Sequence, residues 1–410
     1  MKKINHCFFG PRMFSKQIFI LLILAVIFFI GLTTASLSEA SSESLSQPVF
    51  QVVPVSEPPF FEDDLDFGHL EEAISGSIAY YQKLPSGRKF SFGKDTFSAA
   101  HLIRSLKRFL LFIEKKPSGK ELSAFIDQYF YVYAVMQNGA AKSVLFTGYY
   151  EPLLSGSVKQ TETFRFPVYP RPDDLVTFAS GCRGKTEIGR DTGNEIIPYY
   201  SRQQIEEKGL SGINASPIAW VNDPVALFFL QIQGSGKISL GNGDMMNVHY
   251  QISNGHPYKS IGKYLINKKK LSKETVSMQT IRAYLNAHPD EVDDILNYNP
   301  RYIFFEITEK ETVGCFNIEL TPGRSVALDR STAPAGALVF VQTKKPKVDT
   351  SGKISSWVRF SRFLLNQDTG SAIKGPGRAD IFWGNGNYAA LAAGYMKHPG
   401  QLYFLVLKPE

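Results

Sequence analysis

Between Gln367 and Tyr395 the chain reads Q-D-T-G-S-A-I-K-G-P-G-R-A-D-I-F-W-G-N-G-N-Y-A-A-L-A-A-G-Y, and no regular element can run through its first half. Asp368 and Asp380 stand 12 positions apart, with Gly370, Gly375, Pro376 and Gly377 between them. Such residues break a helix and let the backbone turn sharply or approach a ligand closely. The spacing therefore predicts a strand–loop–strand that folds the two acids together. Ile381, Phe382 and Trp383 follow Asp380 at once. A carboxyl that loses solvation beside apolar neighbours has a raised pKa and can act as a general acid near neutral pH. The same residues admit a plainer reading, in which the acids cap turns or pair with Lys374 and Arg378.

The 410 residues suffice for one large core or two domains, and 43% hydrophobic with 20% charged residues fits a folded globular protein. A formal net charge of +7 suits an acidic partner. The basic runs Lys268–Lys270 and Lys344-Lys345-Pro346-Lys347 are too short to argue for nucleic acid, and each reads as a solvated loop. Lys2, Lys3, Arg12 and Lys16 precede an apolar run from Ile18 to Leu32, followed by small-x-Ala patterns ending at Ala35 and Ala40. Residues 1–40 thus read as a signal for export to the periplasm, since the run is short for a membrane span. The Ser-, Glu- and Pro-rich stretch 41–59 reads as a linker. Cys182 and Cys315 remain after the signal; their pairing is left open, and neither they nor the seven histidines show a metal-ligand spacing. No metal and no cofactor is expected.

The folded part opens with helices, one capped by Ser98 and one from about Lys120. Val144 to Tyr150 reads as a strand, in which Gly148 permits close backbone approach and Tyr149 and Tyr150 offer exposed rings for stacking on sugars. From Val225 an apolar segment delivers Gln231-Ile232-Gln233-Gly234-Ser235-Gly236. Strand alternation would put Gln231 and Gln233 on one face, where amides can both donate to and accept from sugar hydroxyls. No Lys-Ser/Thr pair follows the Gly-Ser-Gly at phosphate-loop spacing, so nucleotide binding is discounted. After Arg301 come many short strands with Gly/Pro punctuation, which suggest a compact barrel, and Asp329 supplies a third acid.

Taken together, Thr147, Gln231 to Gly236, Asn299-Pro300, Thr321 to Ala327 and Asp368 to Gly394 resemble, in order, the motifs of the membrane-bound lytic murein transglycosylase A family. The C-terminal part also resembles the three-aspartate domain, whose acids match Asp329, Asp368 and Asp380. The resemblance implies a fold that is mainly β with helices: a double-psi β-barrel interrupted by a smaller β-rich domain, with a substrate groove between them. The barrel would comprise 50–152 plus 312–410 and the insert 153–311. It implies cleavage of the β-1,4 bond between N-acetylmuramic acid and N-acetylglucosamine, with formation of a 1,6-anhydro-muramyl end. Asp380 matches the catalytic acid/base, Asp368 a supporting groove acid, and Asp329 a structural acid. Thr147, Gly148, Tyr149 and Tyr150 would line the groove, with Gln231, Gln233, Gly234 and Lys374 as further substrate contacts. The expected partners are peptidoglycan glycan strands and other cell-wall enzymes, with a monomeric chain and no nucleic acid.

Two departures from the family pattern stand out. No cysteine follows the signal to accept a lipid, so the expected association with the outer membrane lacks its usual anchor. Gly314-Cys315-Phe316-Asn317 replaces a Gly/Pro/Ala-rich string. Two other readings remain: a hydrolytic glycosidase using Asp368 as second carboxylate, and a glycan-binding module with no need for a desolvated acid.

Overall fold

The computed structural model describes residues 49–52, 59–137, 140–180, 185–210, 215–370 and 372–409. The signal 1–40, most of the stretch 41–59, and Cys182 lie outside the described residues. Six strands form a closed ring: β1 (Val144–Tyr149), β2 (Ser325–Ala327), β3 (Leu338–Val348), β4 (Ile354–Asp368), β5 (Arg378–Phe382) and β6 (His398–Leu407). Pairing runs β6–β3–β4–β2–β5–β1 and returns from β1 to β6. β2 lies parallel to β4, and β5 parallel to β1, while the other contacts are antiparallel.

Alternation sorts the side chains of β1 and β5. Val144 and Phe146 of β1, with Ala379 and Ile381 of β5, are buried in the barrel core, whereas Leu145, Thr147, Arg378 and Asp380 are only half-buried on the other face. Two amphipathic helices, Leu70–Gln82 and Ala99–Ile113, bury one face each against this core. Ser98 caps the second by accepting from the His101 N–H.

Between β1 and β2 the chain leaves the barrel and builds a separate six-stranded sheet. Its order is Ile303–Thr308, Met245–Ser253, Ser235–Leu240, Leu153–Ser157, Ala219–Val221 and Phe166–Val168. The Pro224–Gln233 helix packs one side into that sheet through Leu227 and Leu230, and another into a helical cluster through Val225, Phe228 and Phe229.

Several expectations need correction. Val49–Val52 lies within the stretch read as a linker, yet pairs antiparallel with Val135, Ala134 and their neighbours. Lys344 to Lys347 are not a loop: they extend β3, because its partner β4 runs on to Ile354 and the hairpin turns only at Asp349–Lys353. Lys268–Lys270, by contrast, do form an exposed turn, just after the Ile261–Asn267 helix, and Lys270 pairs with Glu291 at 3.0 Å.

The segment before the first helix is strapped to the barrel by buried charges. Arg324 is 0% exposed and holds Asp63 through two hydrogen bonds of 2.7 and 2.8 Å, while its remaining N–H groups donate to the carbonyls of Gly68 and Phe363. Beside it Arg362 holds Asp64 at 2.7 and 2.8 Å, and Lys345 joins the same carboxylate. Burial alone would raise the Asp64 pKa, but Arg362 and Lys345 outweigh it and hold the group below its usual value. Removing one partner of a buried pair leaves an uncompensated charge. Asp63→Ala should therefore lose about 3–5 kcal/mol of stability, read as a lowered urea midpoint, whereas Asp127→Ala on an exposed helix face should stay within about 0.5 kcal/mol of the parent.

Candidate active site

β2 is the shortest barrel strand and sits between the strands that carry the two acids. Ala327 is the register partner of Asp368 on one side and Asp380 on the other. Two inter-strand spacings thus separate the acids' backbones, about 10 Å, with only a methyl group between them. The glycine-rich loop joins the end of β4 to the start of β5, and the strand–loop–strand reading holds.

The environments of the acids differ. Asp380 Oδ1 accepts from the Thr147 hydroxyl at 2.8 Å, across the β1–β5 pairing. Burial raises the Asp380 pKa to about 6, against the lowering effects of Thr147 and Arg378. Ile381 is not the source of that burial, because alternation turns it into the barrel core. Phe382 instead packs against the Tyr149 ring at 5.2 Å, and Trp383 covers Gly148. Asp368 takes three donors: Oδ1 accepts from the backbone N–H of Cys315 at 2.9 Å and of Thr369 at 2.8 Å, and Oδ2 from the Tyr149 hydroxyl at 2.9 Å. Its pKa is raised by burial, which these donors only partly offset. Burial, then the charge of Asp368, holds Tyr149 well above its usual range, so its phenol stays protonated.

Both acids open into one cavity of about 240 Å³. The barrel contributes Gly148, Tyr149, Ala327, Thr369, Gly370, Ala372 and Ile373; the insert contributes Gln231, Ile232, Gln233, Tyr258 and Arg301. Larger cavities of about 660 Å³ within the insert, about 690 Å³ beside Tyr150 and about 530 Å³ beside Phe228 and Ile261 contain neither acid. Gly148 is required by packing: a Cβ there would lie 2.6 Å from Trp383 Nε1 and 3.0 Å from the Ala393 Cα.

The remaining predicted residues divide. Thr147, Gly148 and Tyr149 gather at the acids. Tyr150 does not: alternation sends it to the 690 Å³ cavity, and both tyrosines are half-buried rather than an exposed stacking pair. The two glutamines lie on the last turn of the Pro224–Gln233 helix, not on a strand. At about 100° per residue, positions two apart point away from each other. Gln231 is 4% exposed, with Oε1 taking a hydrogen bond from the buried Arg202. Gln233 reaches the barrel instead, where its Oε1 accepts from the Tyr150 N–H at 3.2 Å. Gly234 ends the helix at φ +87°, a left-handed conformation that favours glycine. Asp329 stands outside the cavity; its carboxylate ties Ser331 to Gly375 through N–H donors at 3.0 and 2.6 Å. Burial works to raise its pKa, but those donors and Lys374 hold it below the usual value. Lys374 is exposed and does not line the cavity.

Sequence reasoning missed Ala327, Tyr258, Arg301 and the Cys315 N–H. Only the register of β2 reveals Ala327, and a backbone donor has no side-chain signature. Among the described residues Cys315 is a free, exposed cysteine, and no group of acids, histidines and cysteines has metal-binding geometry.

Comparison with known proteins bears on this arrangement. Residues 145–306 match the model of the MltA specific insert domain, and residues 324–406 that of the 3D domain. Membrane-bound lytic murein transglycosylase A of Escherichia coli K12 is 33% identical over 270 residues, 65% of this chain and 67% of that relative. The chain belongs to the membrane-bound lytic murein transglycosylase A family. The Vibrio cholerae relative is 30% identical over 284 residues, 68% of this chain and 70% of its own. Among solved structures, a membrane-bound lytic murein transglycosylase from Agrobacterium tumefaciens superposes with a TM-score of 0.71 at 28% identity, covering 88% of this chain and 98% of its own. The E. coli structure with bound chitohexaose gives 0.66 at 26% identity, covering 89% and 96%. With membership come the double-psi barrel, the insert and the enzyme class. No helix of the described residues is long and apolar enough to cross a membrane.

The raised Asp380 pKa has a thermodynamic consequence. An acid whose folded pKa lies above its unfolded value contributes stability that is present below pH 3.8 and lost as pH rises through about 6. Asp380→Asn should therefore be more stable than the parent at pH 7.5, by up to about 3 kcal/mol for that pKa gap. Melting temperatures recorded from pH 7.5 to 4 should converge as the parent's carboxyl becomes protonated.

Proposed function

We propose that this chain is an exported peptidoglycan lytic transglycosylase. It would cleave the β-1,4 bond between N-acetylmuramic acid and N-acetylglucosamine and close a 1,6-anhydro ring on the muramic acid, with glycan strands as its substrate. In this reading the barrel comprises 50–152 plus 312–410, the insert spans 153–311, and the glycan lies in the cavity between them. The E. coli relative's structure with bound chitohexaose supports a glycan as the ligand. Periplasmic location rests on the signal-like segment 1–40 and on the family's membrane-bound members.

The observation that carries the chemistry is the unequal treatment of the two acids. Asp380, with a pKa near 6 and one carboxyl oxygen engaged, retains an oxygen to hold and release a proton. Protonated, it donates to the glycosidic oxygen as that bond breaks and positive charge develops at C1. The resulting carboxylate then accepts the proton of the C6 hydroxyl, whose oxygen attacks C1, so no water is consumed. Asp368, fixed by three donors, supplies negative potential near the developing cation. The same three donors disfavour the hydrolase reading, because a carboxylate so occupied is poorly disposed to activate water or attack C1. Thr147, Gly148 and Tyr149 would act at the groove floor, and Gln233 through the strand it holds. Tyr150, Gln231, Gly234, Asp329 and Lys374 would support the site without touching the reacting sugars.

Mass spectrometry of soluble products from purified peptidoglycan tests the reading. The parent should release anhydro-muramyl products and Asp380→Ala none, with an expected loss of at least about 100-fold. Reducing-end products, heavier by one water, would move the assignment to hydrolysis by Asp368. Glycan binding without release would leave a binding module. A second measurement concerns pH: since the acid must start protonated, kcat/KM should fall as pH rises through about 6.

A further inference from the structure

We infer that Arg378 is a positioning residue, acting through Thr147 to decide which oxygen of Asp380 carries the transferable proton. The inference rests on the reading of Asp380 as the general acid. Arg378 and Asp380 are two apart on β5 and share a face, and Thr147 is the register partner of Asp380 on β1. An Arg378 N–H donates from Nη2 to the Thr147 hydroxyl oxygen at 3.4 Å, and that hydroxyl lies 2.8 Å from Asp380 Oδ1. A hydroxyl has one proton. With its oxygen facing an obligate donor, the Thr147 proton is directed at Oδ1. Oδ1 is thereby kept as an acceptor, and the acidic proton resides on Oδ2.

Arg378 is otherwise unaccounted for. Its Nε is buried without a hydrogen-bond partner, and among the described residues it forms no ion pair. That contrasts with Arg324 and Arg362, which grip Asp63 and Asp64 directly. A direct contact would favour the carboxylate and pull its pKa down by about 1–3 units, leaving little acid at neutral pH. Interposing one hydroxyl keeps the cation near Asp380 at reduced strength, consistent with its lowering effect being outweighed by burial. The other charged or titratable groups facing Asp380 are Asp368 from β4, Tyr149 from β1, and Tyr258 and Arg301 from the insert; β2 contributes none.

The experiment compares pH profiles of anhydro-product formation for Arg378→Met, Arg378→Gln, Arg378→Lys, Thr147→Val and the Arg378→Met/Thr147→Val pair, with melting temperatures as a check on folding. Arg378→Met should move the alkaline fall of kcat/KM upward by about 0.5–1 pH unit, because a cation that favours the carboxylate is gone. It should also lower kcat about tenfold, because the Thr147 rotor is freed. Arg378→Gln keeps a donor without the charge, so its profile should shift while kcat stays within about threefold. Arg378→Lys should restore the parent profile. In the Thr147→Val background Arg378→Met should lower kcat by less than about twofold further, since a residue acting through another loses its effect with it. An unshifted profile in Arg378→Met and Arg378→Gln, or an undiminished kcat effect in the Thr147→Val background, would overturn the inference. If Asp380→Ala retained activity, the reading of the acid itself would fail; an inactive Asp380→Ala beside an unshifted Arg378→Met would sink only the role of Arg378.

Discussion

The site depends on the register of one three-residue strand. Ser325–Ala327 is wedged between the strands that carry the acids, and a slip of one residue would turn Ala327 away from both. So short a strand has few ladder bonds to hold it. Side chains outside it do the holding: Arg324, just before it, is clamped by Asp63, and Ser325 lies between the Thr321 N–H at 2.9 Å and the Gln367 side chain at 2.6 Å. The buried ion pair and the polar network fix where the strand begins, and thereby where two carboxyl groups stand relative to each other.

From that fixed frame, different surroundings follow for two identical side chains, although burial raises the pKa of both. Asp368 sits at a strand end, where the loop backbone and an incoming segment present N–H groups to it. Asp380 sits within a strand, where the backbone is committed to the sheet and only a neighbouring hydroxyl is available. Position along a strand therefore sets the number of donors, and the number of donors separates an acid left to titrate from one held in place. The destabilisation stored at Asp380 is tolerated because the closed barrel leaves the strand no alternative pairing.

What was legible in the sequence was local. Ser98 marked a helix start correctly, and the glycines between Asp368 and Asp380 forced the loop that brings the acids together. What was not legible depended on partners far along the chain. Gln231 and Gln233 read as alternating because Val225 to Leu230 is apolar throughout, and a fully buried helix turn shows no period of its own. Asp223 as N-cap and Pro224 at the first position were the contrary signal. Lys344 to Lys347 read as a loop because lysines are poor strand formers, yet Asp64 and the long β4 partner override that preference. The apolar triplet after Asp380 pointed to a desolvated acid, but Ile381 faces the barrel core, and only Phe382 and Trp383 pack on the Tyr149 and Gly148 side.

The Gly314–Asn317 departure shows which part of the site constrains sequence. That segment differs from the expected string, yet its contribution to Asp368 is a main-chain N–H, which any residue but proline can supply. Gly148 has no such latitude, since a single added carbon would collide with Trp383. The positions with least latitude are those packed or bonded at the acids: Thr147 and Gly148 on β1 and Asp380 on β5, two strands that pair with each other beside β2.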